Sequence, residues 1–182
     1  GIEAFSEGKD SISAAYLAED GFGPFNRTVA RGISAWRILG TDGADAAEAY
    51  LQETLTGDPR LDSATLYMMG LIQLSAHSDA DALATFETLW ESGARLAIGL
   101  DAHARLLAAK GDRARAQSLL NTFHDEIGEN SALESLRKDI QAGRDIHVTR
   151  LTPRQGAALA VYVPAAALIT RTDDDVASVY FV

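Results

Sequence analysis

The spacing of small and large apolar residues constrains the fold of this chain more than any other feature. The stretch GLIQLSAHSDADALATF, residues 70–86, has the same arrangement as ARLLAAKGDRARAQSLL, residues 104–120. The match consists of two pairs of small residues and one pair of large residues: Gly70 with Ala104, Ala82 with Ala116, and Phe86 with Leu120. We call this common offset, from residue 70 to residue 104, the repeat step. Because apolar residues recur at helical spacing and strand-like alternation is scarce, the sequence predicts a repeat of short helices.

The pattern extends beyond these two stretches. Ala35, Ala47 and Leu51 fill the corresponding small, small and large positions before them, and Pro59 follows. After residue 130 the spacing is interrupted, and it returns at three positions near the end of the sequence: Ala165, Ala177 and Phe181. A glycine inside a helix costs roughly 0.5–1 kcal/mol relative to alanine. Gly70 therefore indicates the close approach of a neighbouring helix.

This arrangement resembles the tetratricopeptide repeat, a helix–turn–helix unit of about 34 residues with small residues at positions 8 and 20 and a large apolar residue at position 24. In that numbering the repeats begin near Thr28, Ser63, Ala97 and Ala158. The chain departs from the family at position 4, which lacks the usual aromatic residue, and at position 11, which lacks the tyrosine. The resemblance implies that the two helices of a repeat cross where positions 8 and 20 face each other. Position 24 would then fill the space toward the next repeat.

The predicted fold class is all-α, a fragment of a right-handed α-α superhelix of the tetratricopeptide-like solenoid type. Residues 1–27 are predicted to form a partial repeat and connector, and residues 28–130 three tandem repeats. Residues 131–157 are predicted to form an extra short helix, opened by a capping box from Ser131 to Glu134, and an extended linker. Residues 158–182 are predicted to form a truncated further repeat. Pro164 either kinks its first helix or marks a later start of that helix.

Charge and composition restrict the class of partner. The chain has 16 Lys and Arg against 26 Asp and Glu, a formal charge of −10, which disfavours nucleic acid and anionic membrane surfaces as partners. It has no cysteine, which excludes disulfides, thiolate metal sites and cysteine nucleophiles. The longest apolar run, residues 157–169, is too short to span a bilayer, so membrane insertion is not predicted. We expect a neutral, basic or apolar partner.

No motif of a known active site is visible in the sequence. Metalloprotease, nucleophile-elbow, phosphate-loop and dinucleotide-binding motifs are all missing, so we predict a non-catalytic chain with no cofactor and no metal. His103 and His124 have acidic neighbours, which leaves a metal site as an alternative, but they fall on different predicted helices. The acidic residues at 42–45 and 173–175 are interpreted as helix caps, because a calcium loop needs alternating oxygen ligands and a closing glutamate.

The resemblance implies a concave binding groove lined by the first helix of each repeat, at positions 2, 5, 9, 12 and 13. The residues at these positions that we predict to line the groove are Val29, Trp36, Leu39, Tyr67, Leu71, Leu74, Ile98, Asp101 and Arg105. Aromatic and aliphatic anchors with a few charges suit a peptide ligand. The alternative is that some of these residues belong to the core and are covered by neighbouring segments. Arg105 alone is placed for a basic carboxylate clamp, so a receptor for chaperone C-termini is disfavoured.

Together these features predict a non-catalytic protein–protein interaction scaffold that presents a concave helical groove to a peptide or protein partner. One alternative is a regulatory or structural segment of a larger enzyme or cell-envelope assembly protein, and another is an intrinsic hydrolase or metal-enzyme activity. Because no polar capping face is evident, the chain is expected to self-associate through an exposed end of the array. The resemblance and the alanine-rich, acidic composition favour a bacterial protein of the periplasm, with the cytoplasm as the alternative.

Overall fold

The computed structural model describes residues 24–58 and 62–160, with side chains from Arg27 onward. Every regular element in these ranges is an α-helix, which confirms the all-α prediction for the described residues. Pro59, Pro164, most of the predicted partial repeat and most of the truncated further repeat lie outside them. The eight described helices are α1 (Pro24–Thr41), α2 (Ala44–Gln52), α3 (Ser63–Ser75), α4 (Asp79–Glu91), α5 (Ala97–Ala109), α6 (Arg113–Ile127), α7 (Ser131–Gln141) and α8 (Pro153–Ala160).

The starts of the helices recur with the spacing seen in the sequence. Helices α3, α5 and α7 begin at Ser63, Ala97 and Ser131, each one repeat step after the one before. Helices α4 and α6 begin at Asp79 and Arg113, again one repeat step apart. Helix α7, predicted as an extra short helix, therefore begins one step further along the same spacing.

The turns inside the helical pairs also recur. The residues with positive φ in these turns are Gly43, His77 and Gly111, with φ of 93°, 64° and 94°, and they follow one another at the repeat step. After His77 and Gly111, the next backbone amide donates a hydrogen bond back into the preceding helix. Ser78 donates to the Gln73 carbonyl and Asp112 to the Leu107 carbonyl, both at 2.9 Å. Such left-handed helix ends favour glycine, because a side chain is strained there. The backbone therefore repeats even where the residue type does not.

The described helices pack mainly against their neighbours along the chain. Each helix from α1 to α6 contacts the next one, and α1 also contacts α3, as α5 contacts α7. One group of buried apolar residues lies mainly among α1 to α4, and a second lies among α5 to α7. Helix α8 departs from this order, because it returns to pack against α1 and α3.

The glycine at position 70 is explained by its contact with an aromatic ring. A β-carbon at Gly70 would lie 2.6 Å from the nearest ring atom of Phe86. The repeat pattern predicts that Gly70 faces Ala82, but the three atoms nearest to such a β-carbon all belong to Phe86. Phe86 is fully buried. The small residue at position 8 therefore makes room for the large residue at position 24 of the same helical pair.

Helix α7 covers one side of the second core with a single apolar face. Its buried residues are Leu133, Leu136 and Ile140. The cap of this helix differs from the predicted capping box: the Asn130 side chain accepts a hydrogen bond from the Leu133 amide at 3.2 Å. The predicted capping residue Glu134 instead binds Arg137 at 2.6 Å. The opposite face of α7 is mainly polar and exposed, so the polar face that the sequence was expected to lack is present on this helix.

Candidate functional site

The structure places the predicted groove residues in two different environments. Four of them, on α1 and α3, are buried: Trp36, Tyr67, Leu71 and Leu74. Leu39 is partly buried against the same core. Asp101 and Arg105 on α5 remain about 30% exposed and form an ion pair at 2.8 Å. The predicted groove face is thus covered at the first two helical pairs and accessible at the third.

A later part of the chain, residues 146–160, lies over part of this face, and we call it the return segment. It contains the end of an extended stretch and all of α8. Helix α8 lies antiparallel along α1, since three contacts pair Gly32 with Ala160, Trp36 with Gly156, and Gly40 with Pro153. In repeat numbering Gly32, Trp36 and Gly40 hold positions 5, 9 and 13. These are positions that the resemblance assigns to the groove.

Small residues permit this crossing of two helices. The Trp36 indole lies directly over Gly156, so closely that no β-carbon fits at residue 156. A β-carbon at Gly32 would come within 2.9 Å of the Ala160 side chain. Below the crossing, the indole nitrogen of Trp36 donates to the Met68 sulfur at 3.3 Å. Trp36 is completely buried between α3 and the return segment.

An arginine anchors the return segment to α3 and α4. Arg150 donates to the Leu74 carbonyl oxygen, near the end of α3. Its guanidinium also binds both carboxylate oxygens of Asp79, at 2.8 Å and 3.1 Å, where α4 begins. The hydrogen bond from Arg150 holds the pKa of Asp79 below its usual value. We call Asp79 and the Leu74 carbonyl the arginine socket.

The socket suits a cation for two reasons. The carbonyl groups at the end of a helix carry partial negative charge, and a carboxylate matches the two-pronged guanidinium group. One further bond fixes the adjacent backbone, since the Leu151 amide donates to the Ser75 hydroxyl at 3.1 Å. Leu74 and Ser75 hold positions 12 and 13 of their repeat. The return segment therefore contacts predicted groove positions of both the first and the second helical pair.

Sequence reasoning missed several residues of this face: Gly32, Gly40, Ser75, Asp79 and the return segment itself. Two signals were present in the sequence. Gly32 and Gly40 flank Trp36 four residues to either side, and Gly156, Ala157 and Ala160 form a matching face of small residues. Neither signal identifies its partner, because the two stretches lie more than a hundred residues apart.

The accessible part of the predicted groove lies on α5. Ile98, Asp101 and Arg105 lie on this helix, and the Ile98 side chain is 40% exposed. Tyr67 of α3 packs against Gly99 at the same junction. Burial, together with the negative charge of Asp101, raises the pKa of Tyr67 above its usual value. The Tyr67 phenol therefore stays neutral across the physiological range.

The two histidines considered as metal ligands have separate structural environments. His103 is buried and stacks on Phe86, with ring centroids 6.1 Å apart. Burial, and to a lesser degree the charge of Arg115, lowers the pKa of His103 to about 4. His124 instead bonds Glu134 of α7 at 3.0 Å. Within residues 24–58 and 62–160, no group of three or more His, Asp or Glu side chains is arranged to hold a metal ion.

A polar network lies on α2, α3 and α4. The Gln73 side chain is buried, donates to Glu48 at 2.8 Å and accepts from the Thr85 hydroxyl at 2.8 Å. Gln73 holds position 11, where the tetratricopeptide family has a tyrosine. Because the buried amide is bonded to both neighbouring helices, its role here is to connect α2, α3 and α4.

Comparisons with known proteins assign no family to this chain: no family model matches its sequence, no curated protein is significantly similar to it, and no solved structure matches it. Among the described helices, none combines the length and the apolar character needed to cross a membrane.

Proposed function

We propose that this chain is a tetratricopeptide-like helical array that acts as a non-catalytic scaffold for protein–protein interaction. The groove face of its first helices, on α1, α3 and α5, would receive a peptide or a helix of a partner protein. The chain's own residues 146–160 already lie on part of this face, and that observation carries the proposal.

The backbone repeat supports the array. Equivalent helices begin one repeat step apart, and equivalent turns place a left-handed residue at the same step. Contacts run mainly between successive helices, as in solenoids, where each unit packs against its neighbours. A closed helical bundle would not require this constant spacing.

The contacts of the return segment support the use of the groove face for binding. They combine a charged anchor at Arg150, a backbone bond at Leu151 and close helix packing at Gly156. A protein groove that binds an external peptide uses the same three kinds of contact. Two ion pairs lie along this face, Asp79 with Arg150 and Asp101 with Arg105, and charges paired in this way suit binding rather than catalysis.

The proposal is tested at the accessible end of the groove, where a substitution leaves the core intact. Ile98→Glu places a charge on the α5 end of the groove face. Ile127→Glu is the matched control, because Ile127 is also exposed, at 53%, but lies at the end of α6. The tagged chain and both variants are used to capture partners from the native cell, with quantitative mass spectrometry and with circular dichroism as a check on folding.

The scaffold proposal requires one specific partner that the parent chain and Ile127→Glu capture equally and that Ile98→Glu loses. Equal capture by all three folded proteins would rule out binding at the α5 end of the groove. Turnover of a substrate by the purified chain would contradict the non-catalytic assignment.

A further inference from the structure

Building on the proposed scaffold function, we infer that the face of α1 and α3 is specific for a basic helix with small residues on one side and an arginine before it. The return segment, residues 146–160, is the built-in competitor for that partner. The contacts of the return segment define the features that such a partner must share.

Charge supports a basic partner. The return segment contains Arg150 and Arg154 and no acidic residue. The rest of the chain therefore has 14 Lys and Arg against 26 Asp and Glu. A basic segment on a strongly acidic body is held by long-range attraction as well as by its contacts, and the same field would attract a basic partner.

The arginine socket provides a specific requirement. Asp79 Oδ2 and the Leu74 carbonyl accept hydrogen bonds from the single Arg150 guanidinium, and Asp79 Oδ1 lies 2.8 Å from it as an ion-pair contact. A lysine cannot place donors against both carboxylate oxygens and the carbonyl in this way, because its ammonium is a compact point charge without the planar fork of a guanidinium. A partner therefore needs arginine at this place.

The helix crossing provides the second requirement. At position 156 of the return segment, only glycine fits under the Trp36 ring. At position 160, the alanine side chain packs against Gly32, where a β-carbon would come within 2.9 Å of it. Counting from the arginine, a partner needs glycine six residues later and a small residue ten residues later. This pattern defines the partner class.

Removal of the return segment would take Ala157 and Ala160 out of the first core but leave the contacts among α1 to α7 in place. The stretch from residue 145 to residue 152 has no regular structure. Its described contacts with α3 and α4 include the side chain of Arg150 and one backbone bond at Leu151. Because the remaining helices form their own pairs, an external helix of the same chemistry can take the same place.

The test uses Trp36 as a reporter, in a full chain whose other tryptophan is removed by Trp90→Phe. A release variant carries Arg150→Ala and Gly156→Leu, which empty the socket and block the crossing. The matched control carries Arg154→Ala and Ala158→Leu at exposed positions of the same segment. We expect red-shifted Trp36 emission in the release variant alone, with the helical circular dichroism of the other pairs retained.

The partner class is then tested with a synthetic peptide, IHVTRLTPRQGAALA, which is residues 146–160. Added to the release variant, it should restore the blue emission with saturable binding, and it should bind the control variant at least about tenfold more weakly. Peptides with Arg150→Lys or Gly156→Leu should each lose about tenfold or more in affinity for the release variant.

Several results would overturn this inference. These are an unshifted Trp36 emission in the folded release variant, equal binding of the three peptides, and peptide binding that is as tight to the control as to the release variant. A dimer of the parent chain in sedimentation, exchanging its segments between copies, would assign the face to a second copy instead. If the release variant loses its helices, Arg150→Ala alone replaces it, with a labelled peptide and anisotropy as the readout.

The outcome is separable from that of the scaffold proposal. If the peptide fails to bind while Ile98→Glu still loses its partner, the scaffold proposal stands and the proposed partner class is wrong. If the peptide fails to bind and Ile98→Glu keeps every partner of the parent chain, the proposed binding groove is wrong as well.

Discussion

A substitution at Gly70 tests how the helical pairs are packed. Gly70→Ala normally stabilises a helix by roughly 0.5–1 kcal/mol. Here the added methyl group would meet ring atoms of Phe86 at 2.6, 2.8 and 3.0 Å, all closer than an ordinary contact. The Phe86 ring has little room to retreat, because His103 stacks on it. Overpacking of this kind costs roughly 1–3 kcal/mol.

The net effect follows from the difference between these two contributions. We expect Gly70→Ala to destabilise the chain by about 1 kcal/mol, a fall in melting temperature of roughly 2–4 °C for a protein of this size. Thermal and urea unfolding, followed by circular dichroism, measure it. The matched background is Phe86→Leu, which removes the obstructing ring.

In the Phe86→Leu background, the effect of Gly70→Ala on the free energy of unfolding should reverse its sign. Gly70→Ala should then stabilise the chain by roughly 0.5–1 kcal/mol, its ordinary helical effect. The double-mutant cycle would thus give a coupling energy of roughly 1.5–2 kcal/mol between residues 70 and 86. An equal stabilisation by Gly70→Ala in both backgrounds would refute the close contact, and with it the explanation of why this helix contains a glycine.

Two further predictions concern the turn and the core. His77→Gly should raise the free energy of unfolding by roughly 1 kcal/mol and Gly111→Ala should lower it by a similar amount, because the two residues have positive φ at equivalent turns of successive helical pairs. Urea unfolding should show opposite signs for the two substitutions, and equal signs would contradict this prediction. Because the pKa of His103 falls from 6.5 to about 4 on folding, the unfolded chain binds a proton first, so stability is lost as pH falls through that window. The free energy of unfolding should fall by about 2 to 3 kcal/mol between pH 7.5 and pH 4.5. This loss should diminish in His103→Gln and persist in the control His77→Gln. An unchanged loss in both variants would contradict the prediction.

The sequence predicted the helices and their spacing because local patterns determine both. Helical periodicity and the repeat step from Gly70 to Ala104 are visible without knowledge of any contact. Helix α7 shows the limit of this reasoning. Its start at Ser131 follows the spacing, but Lys138 stands where the repeat has a small residue, so a pattern built on small residues missed it.

The return segment could not have been predicted from spacing. Arg150 and Asp79 are 71 residues apart, and neither residue type is unusual at a surface. The return segment lies against Trp36 through Gly156 and against Leu74 through Arg150, so the sequence could assign these two residues to a face but could not identify the segment that covers them. The proposed binding residues Asp101 and Arg105 are accessible, and their role stays a prediction.

The position of the return segment on α1 can be measured directly with an engineered disulfide, since the chain has no other cysteine. A β-carbon at Gly40 would lie 3.4 Å from that of Pro153, close to the separation of roughly 3.5–4.5 Å that a disulfide requires. In a glutathione buffer, Gly40→Cys/Pro153→Cys should become mostly oxidised. The control pair Gly40→Cys/Ala158→Cys, on the exposed side of α8, should stay reduced. Equal oxidation of the two pairs, or none in either, would contradict the placement of residues 146–160 on the groove face.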